Sequence, residues 1–486
     1  MASPGVFLSP PASSLFQFPP GPNPQTIPPP HFEFPFTIPD NLYVSALDAR
    51  VPITIATVYA VTAKALNVYN KSTGKKPWAI SKTKAFKAFV ILHNVFLAVY
   101  SAWTWVGMFN GLRNSVASPA GPNGWAGTVD SFCKFHGPAG FGNALSYNEN
   151  SGTWHSMTGA SAIHLTAEGS PSRAVPGRLW NEGLAFYGWL FYISKFYEVV
   201  DTLIILAKGK LSSTLQTYHH AGAMMAMWAG MRYMAVPIWI FVFFNSAIHA
   251  LMYTYFTITA FNVRVPTFIK RTLTSLQISQ FIIGASCAMI HSFISYLVPT
   301  DVKASSASAI SSIAAAATDA PNFLDGLKQT LFGAAGAAGV AAVVSSPSEA
   351  NSSHEAASYV TQYEKVDCIT TTGATFAIWL NVFYLLPLTY LFMSFFVASY
   401  LRRSKAEVVR AKSNPDRRRS NVVLAEKASW DAAKGIEREI YNKNNEGAVV
   451  EDSDSSSGSV NGNDMLHPSS AAKVNGVKTK ANGKKH

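Results

Sequence analysis

Residues 236–260 read VPIWIFVFFNSAIHALMYTYFTITA, 25 residues without a Lys, Arg, Asp or Glu. As a helix rising 1.5 Å per residue this stretch spans about 37 Å, more than the ~30 Å of hydrocarbon in a bilayer. Lipid offers no partner for backbone N–H and C=O groups, so a segment of this kind must be helical. It is not uniformly apolar. Asn245, His249 and Tyr253 follow one another at intervals of four, with Met252 beside them, and draw a polar stripe down one face.

Working outward, six further apolar segments of comparable length occur at 47–66, 86–109, 183–206, 211–231, 273–298 and 375–401. The first is the weakest, with Asp48 and Arg50 at one end and Lys64 at the other. The expected fold class is an all-α polytopic membrane protein with seven transmembrane helices. Pro237 and Pro387 are tolerable interruptions in such helices. Composition agrees. Charged residues make up 14% and aromatics 13% of the chain, against about 25% charged residues in a soluble domain.

The net charge of +12 is concentrated between the apolar blocks and after the last of them. Six lysines lie within 71–87, then Lys208 and Lys210, then Arg264, Lys270 and Arg271, then a tail opening with Arg402, Arg403 and Lys405. With seven crossings all four regions share one side, which is the positive-inside pattern rather than a nucleic-acid face. It puts the N-terminus in the lumen and the C-terminus in the cytosol.

Residues 1–42 are Pro-rich and expected to be a disordered arm, with no signal-peptide pattern. Residues 43–401 form the membrane domain, with lumenal loops at 112–180 and 300–366. Residues 402–486 form a basic, Ser-rich cytosolic tail, expected to be disordered. The Ala/Gly/Val run at 331–344 is short and Gly-broken, and an eighth crossing there would put the basic tail on the wrong side. Asn351, Ser352 and Ser353 form a glycan acceptor in the second loop.

Ionisable groups in hydrocarbon are costly and tend to face a bundle interior. Lys195, Glu198, Asp201 and Thr202 follow as K-x-x-E-x-x-D-T along one helical face. Lys195 and Glu198 read equally as a structural ion pair. Gln216 precedes His219 and His220 by three and four residues, so the three share a sector. Thr274, Gln277 and Gln280 share another face, and His93 and Asn94 add a polar point to the second segment. Helix-to-helix hydrogen bonding accounts for Asn245, His93 and Asn94 as readily as function does. Depth ties the set together. Asp201 lies about 10 Å along its helix from Lys208, and His219 about 13 Å from Lys210.

These boxes resemble the membrane fatty acid elongase family, the condensing enzymes of very-long-chain and polyunsaturated fatty acid synthesis. The likeness rests on Lys195 to Thr202, on Gln216, His219 and His220, on Asn245, His249, Met252, Tyr253 and Tyr255, and on Thr274, Gln277 and Gln280. HNVFLAVYS at 93–101 and LFMSFF at 391–396 are also similar. The family's usual H-x-x-H-H here has Gln216 in its first place, as in one branch acting on polyunsaturated acids. The long loops exceed the family's usual lengths.

The resemblance implies six of seven helices around a closed acyl tunnel, arranged as two inverted three-helix units, in the endoplasmic reticulum membrane. It implies condensation of an acyl-CoA with malonyl-CoA to a 3-oxoacyl-CoA by a ping-pong route through a histidine. His219 is the expected nucleophile, because neutral imidazole is competent near pH 7. His249 serves the second half-reaction or holds the intermediate. His220, Asp201 and Gln216 position the imidazoles, with Lys195, Glu198, Asn245, Tyr253, Gln277 and Gln280 completing the site. Lys208, Lys210, Arg264, Lys270 and Arg271 are candidates for the CoA phosphates, or ordinary positive-inside residues. No bound cofactor or metal is expected. Expected partners are acyl-CoA, malonyl-CoA and membrane lipid, with other enzymes of the elongation cycle; a homodimer is compatible, and nucleic acid is not expected. Two rival readings are a di-iron desaturase or hydroxylase, which needs a larger histidine set, and a non-enzymatic transporter with midplane polar groups.

The chain has three cysteines, Cys133, Cys287 and Cys368. Seven crossings put Cys133 and Cys368 in the lumen and Cys287 within the sixth segment. Similar relatives often carry a cysteine in each of the two lumenal regions, so the pair is either bridged or two free thiols.

Overall fold

The structure, a computed structural model, describes residues 5–21, 25–29, 34–156, 164–303 and 359–412, all within the unit Met1–Asn442. The run at 331–344, the Asn351 acceptor and the tail beyond Lys412 lie outside the described residues.

Helices dominate. A short α1 (Asp40–Ala46) leads into α2 (Arg50–Ser72) and α3 (Lys84–Ser115). Next come α4 (Gly124–Cys133), a π-helical stretch (Trp180–Gly188), α5 (Trp189–Tyr197) and α6 (Val199–Ala207). Then follow α7 (Thr214–Arg232), α8 (Ile238–Ala260), α9 (Thr267–His291) and α10 (Thr372–Lys412). Among the described residues five helices are long and apolar enough to cross a membrane: α2, α3, α8, α9 from Phe268, and α10 as far as Ser394. The chain is thus a predominantly helical, multi-pass membrane protein. Val58 and Val61 on α2 and Leu92 and Val99 on α3 are exposed, as apolar residues of a lipid-facing surface would be. Tyr59, Ala63, His93 and Asn94 on the same helices are buried.

The segments expected at 183–206 and 211–231 are not among the five, and the reason is physical. The first is three successive nine-residue pieces, divided at Trp189 and Glu198, rather than one regular helix. The second, α7, carries Gln216, Thr217, His219, His220 and Arg232, which lower its apolarity. These are the elements that bring most of the polar side chains inward. The helices pack in the order α2–α7–α10–α9–α8–α3, with α5 against α7 and the π-helical stretch against α3.

Other boundaries differ from the sequence reading. Pro237 does not interrupt α8 but caps its start. The segment expected at 273–298 is helical only to His291 and continues as strand β4 (Ile294–Lys303), antiparallel to β5 (Tyr359–Asp367). Its apolarity reflects sheet and cap packing: Tyr296 and Val298 are both fully buried. The 112–180 loop contains α4 and a hairpin of strands β2 (Leu145–Asn148) and β3 (Thr153–Ser156). The arm expected to be disordered contributes strand β1 (Val6–Leu8), which pairs with β4 on the edge opposite β5. Gly21 donates its backbone N–H to Thr372 Oγ1 at 2.8 Å. Backbone hydrogen bonds to an open sheet edge hold the arm, a signal that a Pro-rich composition hides. The helix of the seventh segment runs on to Lys412, into the expected tail.

At this end of the molecule the chain builds a fastened cap. Arg178 and Asp130 form a buried pair, Nη2 to Oδ2 at 2.7 Å, and Tyr296 donates to the other carboxylate oxygen at 2.8 Å. Glu149 accepts from the backbone N–H of Thr372 at 2.9 Å, so a carboxylate meets the positive end of α10. Cys133, the last residue of α4, is bonded to Cys368 with Cα atoms 4.7 Å apart, tying α4 to the link between β5 and α10. Alkylating the denatured, unreduced protein is expected to label Cys287 alone, and all three cysteines after reduction. Removing the bridge should cost about 2–4 kcal/mol of stability. Three labelled cysteines without reductant would contradict the cap as built.

His136 is enclosed by the rings of Trp154 and Trp180. Burial pushes its imidazole from the usual 6.5 down to about 3. A depressed histidine takes up its proton in the unfolded chain first. Its stabilising effect is therefore complete above pH ~6.5 and is lost as pH falls toward 3. Lowering pH from 7.5 to 5 should cost about 2 kcal/mol through this group. The thermal midpoint should fall accordingly, and His136→Phe should flatten that part of the pH dependence. An unchanged pH profile in the variant would show that the group is not held neutral.

Candidate active site

The site is assembled at the end of the bundle marked by the basic turns. The chain between α6 and α7 reverses at Gly209, whose φ is +76°; a Cβ there would lie 2.5 Å from the backbone oxygen of Lys75. Only glycine permits this approach. Asn70, fully buried, donates to the carbonyls of Leu206 and Lys210, both at 2.9 Å. Asn67 exchanges two hydrogen bonds with the backbone of Ser212, at 2.9 and 2.8 Å. Ser213 then caps α7 by accepting from the backbone N–H of Gln216 at 3.0 Å. The position of the histidines on α7 is therefore set from α2.

Two buried carboxylates organise the interior. Glu198, at the break between α5 and α6, accepts from Lys195 Nζ at 2.6 Å. The same oxygen lies 3.5 Å from His249 Nδ1 on α8, and its other oxygen 3.9 Å from His220 Nδ1 on α7. That second oxygen has no hydrogen-bond partner among the described residues. Asp201 on α6 is bound on both oxygens: His93 Nε2 from α3 at 2.7 Å and the Tyr253 hydroxyl from α8 at 2.6 Å. His93 Nδ1 in turn meets the Tyr197 hydroxyl at 3.2 Å. Beside Asp201, the Thr202 hydroxyl pairs with Tyr59 from α2 at 2.9 Å.

A polar chain leads out of this core. Lys195 Nζ donates to Asn245 Oδ1 at 3.3 Å, and Asn245 Nδ2 donates to Gln280 Oε1 on α9 at 3.2 Å. Lys195, Asn245 and Gln280 line a cavity of about 250 Å³, together with His219. The rest of its wall is mainly apolar, including Phe191, Met227, Phe241, Ile248 and Phe281. His219 Nδ1 is 2.9 Å from the hydroxyl of Tyr384 on α10.

Most of the sequence-derived site is thus drawn together, with corrections. Asp201 was expected to orient the catalytic imidazoles, but it holds His93 and Tyr253. Spacing put Asp201 on the same face as Lys195 and Glu198, yet the break at Glu198 sends the two carboxylates to different neighbours. Gln277 stands apart, donating to the Met252 sulfur at 3.2 Å, and Thr274 donates to the backbone carbonyl of Lys270 at 3.1 Å. Gln216 is buried near Ser212, its Nε2 without a partner among the described residues. His93 belongs to the core of the site, where the sequence offered only a polar point. Tyr384 gave no signal at all, being one aromatic in an apolar helix. Of the basic candidates, Lys208 and Lys210 flank the Gly209 turn, Arg264 lies exposed between α8 and α9, and Lys270 Nζ sits 5.7 Å over the Tyr255 ring. The Arg271 side chain is outside the described residues.

Several known proteins are similar in sequence to parts of this chain. Long chain fatty acid elongase 1 of Caenorhabditis elegans is 36% identical over 105 residues, 22% of this chain and 36% of that protein. Very long chain fatty acid elongase 3 of Homo sapiens is 33% identical over 110 residues, 23% of this chain and 41% of that protein. Fatty acid elongase sre1 of Dictyostelium discoideum is 35% identical over 126 residues, 26% and 44% respectively. The chain thus spans less than half the length of each of these relatives. No solved structure matches. The model of the ELO: GNS1/SUR4 family matches residues 45–408, most of the length of the chain, and to that family the chain belongs.

Proposed function

We propose that this chain is a fatty acid elongase, a 3-oxoacyl-CoA synthase that condenses a long-chain acyl-CoA with malonyl-CoA. The observation that carries this reading is the mainly apolar cavity with His219, Lys195, Asn245 and Gln280 in its wall. An acyl chain fits the apolar part and a thioester the polar part. Family membership and the names of the relatives support the same activity.

In the first half-reaction His219 Nε2 attacks the thioester carbon. The N–C bond forms, the C–S bond breaks, and the electron pair leaves with the CoA thiolate, which takes a proton from solvent. Asn245 spends one N–H on Gln280, which leaves the Gln280 amide as a donor for the developing oxyanion. In the second, malonyl-CoA loses carbon dioxide and the pair from the broken C–C bond becomes an enolate. The enolate attacks the acyl carbon and the C–N pair returns to His219. His249 and His220, held at Glu198, serve this second step, and Gln216 supports the start of α7.

The wider reading follows the resemblance. The seven apolar segments cross the membrane of the endoplasmic reticulum, six of them around an acyl tunnel as two inverted three-helix units. The N-terminus is lumenal and the C-terminus cytosolic. The basic residues Lys208, Lys210, Arg264, Lys270 and Arg271 meet CoA phosphates at the cytosolic mouth, and no bound cofactor takes part. The domain spans 43–401, flanked by the arm and the tail. Substrates come from acyl-CoA and malonyl-CoA, with lipid and other enzymes of the elongation cycle as neighbours.

The test is release of labelled carbon dioxide from malonyl-CoA by the purified full chain, across a panel of acyl-CoA lengths. Release that requires acyl-CoA and yields a 3-oxoacyl-CoA supports the proposal. Acyl-CoA bound without any release would point to a carrier instead.

A further inference from the structure

We propose that Tyr384 is a positioning residue that fixes the tautomer of His219, keeping the proton on Nδ1 and presenting the Nε2 lone pair to the cavity. The inference rests on the reading of His219 as the acyl acceptor, and deepens it.

Two contacts of one hydroxyl decide the matter. Tyr384 Oη donates to the backbone carbonyl of His219 at 3.0 Å, and the same oxygen lies 2.9 Å from His219 Nδ1. A phenol carries one proton. If that proton goes to the carbonyl, the oxygen has lone pairs left and Nδ1 must be the donor. If it went to Nδ1 instead, phenol oxygen and carbonyl oxygen would face each other at 3.0 Å with no hydrogen between them. Only the first assignment satisfies both contacts. A neutral imidazole protonated on Nδ1 is unprotonated on Nε2, and His219 lines the cavity together with Tyr384 itself.

The seat of the tyrosine is built into both helices. Its ring occupies the space that a Cβ at residue 222 would fill, so Gly222, one turn along α7 from His219, is what lets α10 bring the hydroxyl so close. The arrangement also suits the reaction. When Nε2 bonds to the acyl carbon and the C–S pair leaves with CoA, positive charge develops on the ring. Its Nδ1–H already points at the phenol oxygen, so no group has to turn during the step. When the enolate later takes the acyl group, the C–N pair returns to Nε2 and the Nδ1 proton has not moved.

The experiment uses the full chain labelled with ¹⁵N-histidine, the His219 signals assigned by their loss in His219→Ala. The wild type should show a protonated Nδ1 and an unprotonated Nε2 at His219. Tyr384→Phe keeps the ring and removes only the hydroxyl. It should give a mixed tautomer signal and slow CoA release from acyl-CoA alone by about 10- to 100-fold, the worth of one hydrogen bond to a group becoming charged. The KM for acyl-CoA should be unchanged, which a merely structural loss would not leave so. Gly222→Ala, which retains the hydroxyl but displaces the ring, should give the same pattern. A wild-type His219 protonated on Nε2 would overturn the proposal whatever the variants do, as would Tyr384→Phe with wild-type spectrum and rate. A wild type with the Nδ1 proton but no acyl-CoA-dependent CoA release would instead remove the acyl-acceptor reading and leave the tautomer assignment standing.

Discussion

His219→Ala is expected to abolish elongation, lowering the rate by about a thousandfold or more, while the protein still folds and inserts. Among the described histidines its imidazole lines the cavity, whereas His249 and His220 are turned toward Glu198. Removing it leaves space for substrate but nothing to take the acyl group. Integrity can be read from the Cys133–Cys368 bridge, which lies at the other end of the bundle. A variant with normal alkylation behaviour and no acyl-CoA-dependent carbon dioxide release is the expected combination. Substantial activity in it would assign the attack to another group, with His249 next in line.

Glu198→Gln should be damaging in a different way. Lys195 and Glu198 are 3% and 2% exposed and 2.6 Å apart. Two buried charges gain little net stability as a pair, but breaking the pair strands the survivor, at a cost of about 3–5 kcal/mol. Lys195→Met should cost about as much, since it strands the carboxylate. The double variant Lys195→Met/Glu198→Leu should regain most of the thermal stability, because no charge is left without a partner. It should not regain activity, because His249 and His220 then have no carboxylate and the cavity wall no ammonium group. Thermal midpoints of the four proteins, read beside their condensation rates, separate the two effects. Equal midpoints for all four would mean that the pair is solvated and does not organise the site.

The apolar segments were plain in the sequence because a bilayer demands long, uncharged runs, and α8 is the clearest of them. The candidate residues were also legible. Asn245, His249 and Tyr253 stand out against an apolar helix by spacing alone, as Lys195 and Glu198 do on theirs. What the sequence could not show was which neighbour each would meet. His93 and Asp201 are more than a hundred residues apart and met only when α3 and α6 packed. Tyr384 looks like any other aromatic of a membrane helix until α10 lies against Gly222. The strands were missed for a related reason. ISYLVPTDVK at Ile294–Lys303 continues the apolarity of α9, and only its pairing with β1 and β5 reveals it as sheet. The strand in the arm at 1–42 was hidden because Pro-rich composition says how a segment behaves alone, not what an open sheet edge will do with three of its residues.

The transfer of the acyl group from CoA to the protein can be measured without any condensation. Purified protein is incubated with acyl-CoA and labelled free CoA, malonyl-CoA being left out, and label entering acyl-CoA is followed. A covalent route through His219 requires this exchange, since the CoA thiolate released in the first half-reaction can attack the acyl-imidazole and return. Exchange in the wild type and none in His219→Ala is the expected result. Condensation that proceeds in the same preparation with no exchange would contradict it, and would mean that malonyl-CoA attacks the acyl thioester directly.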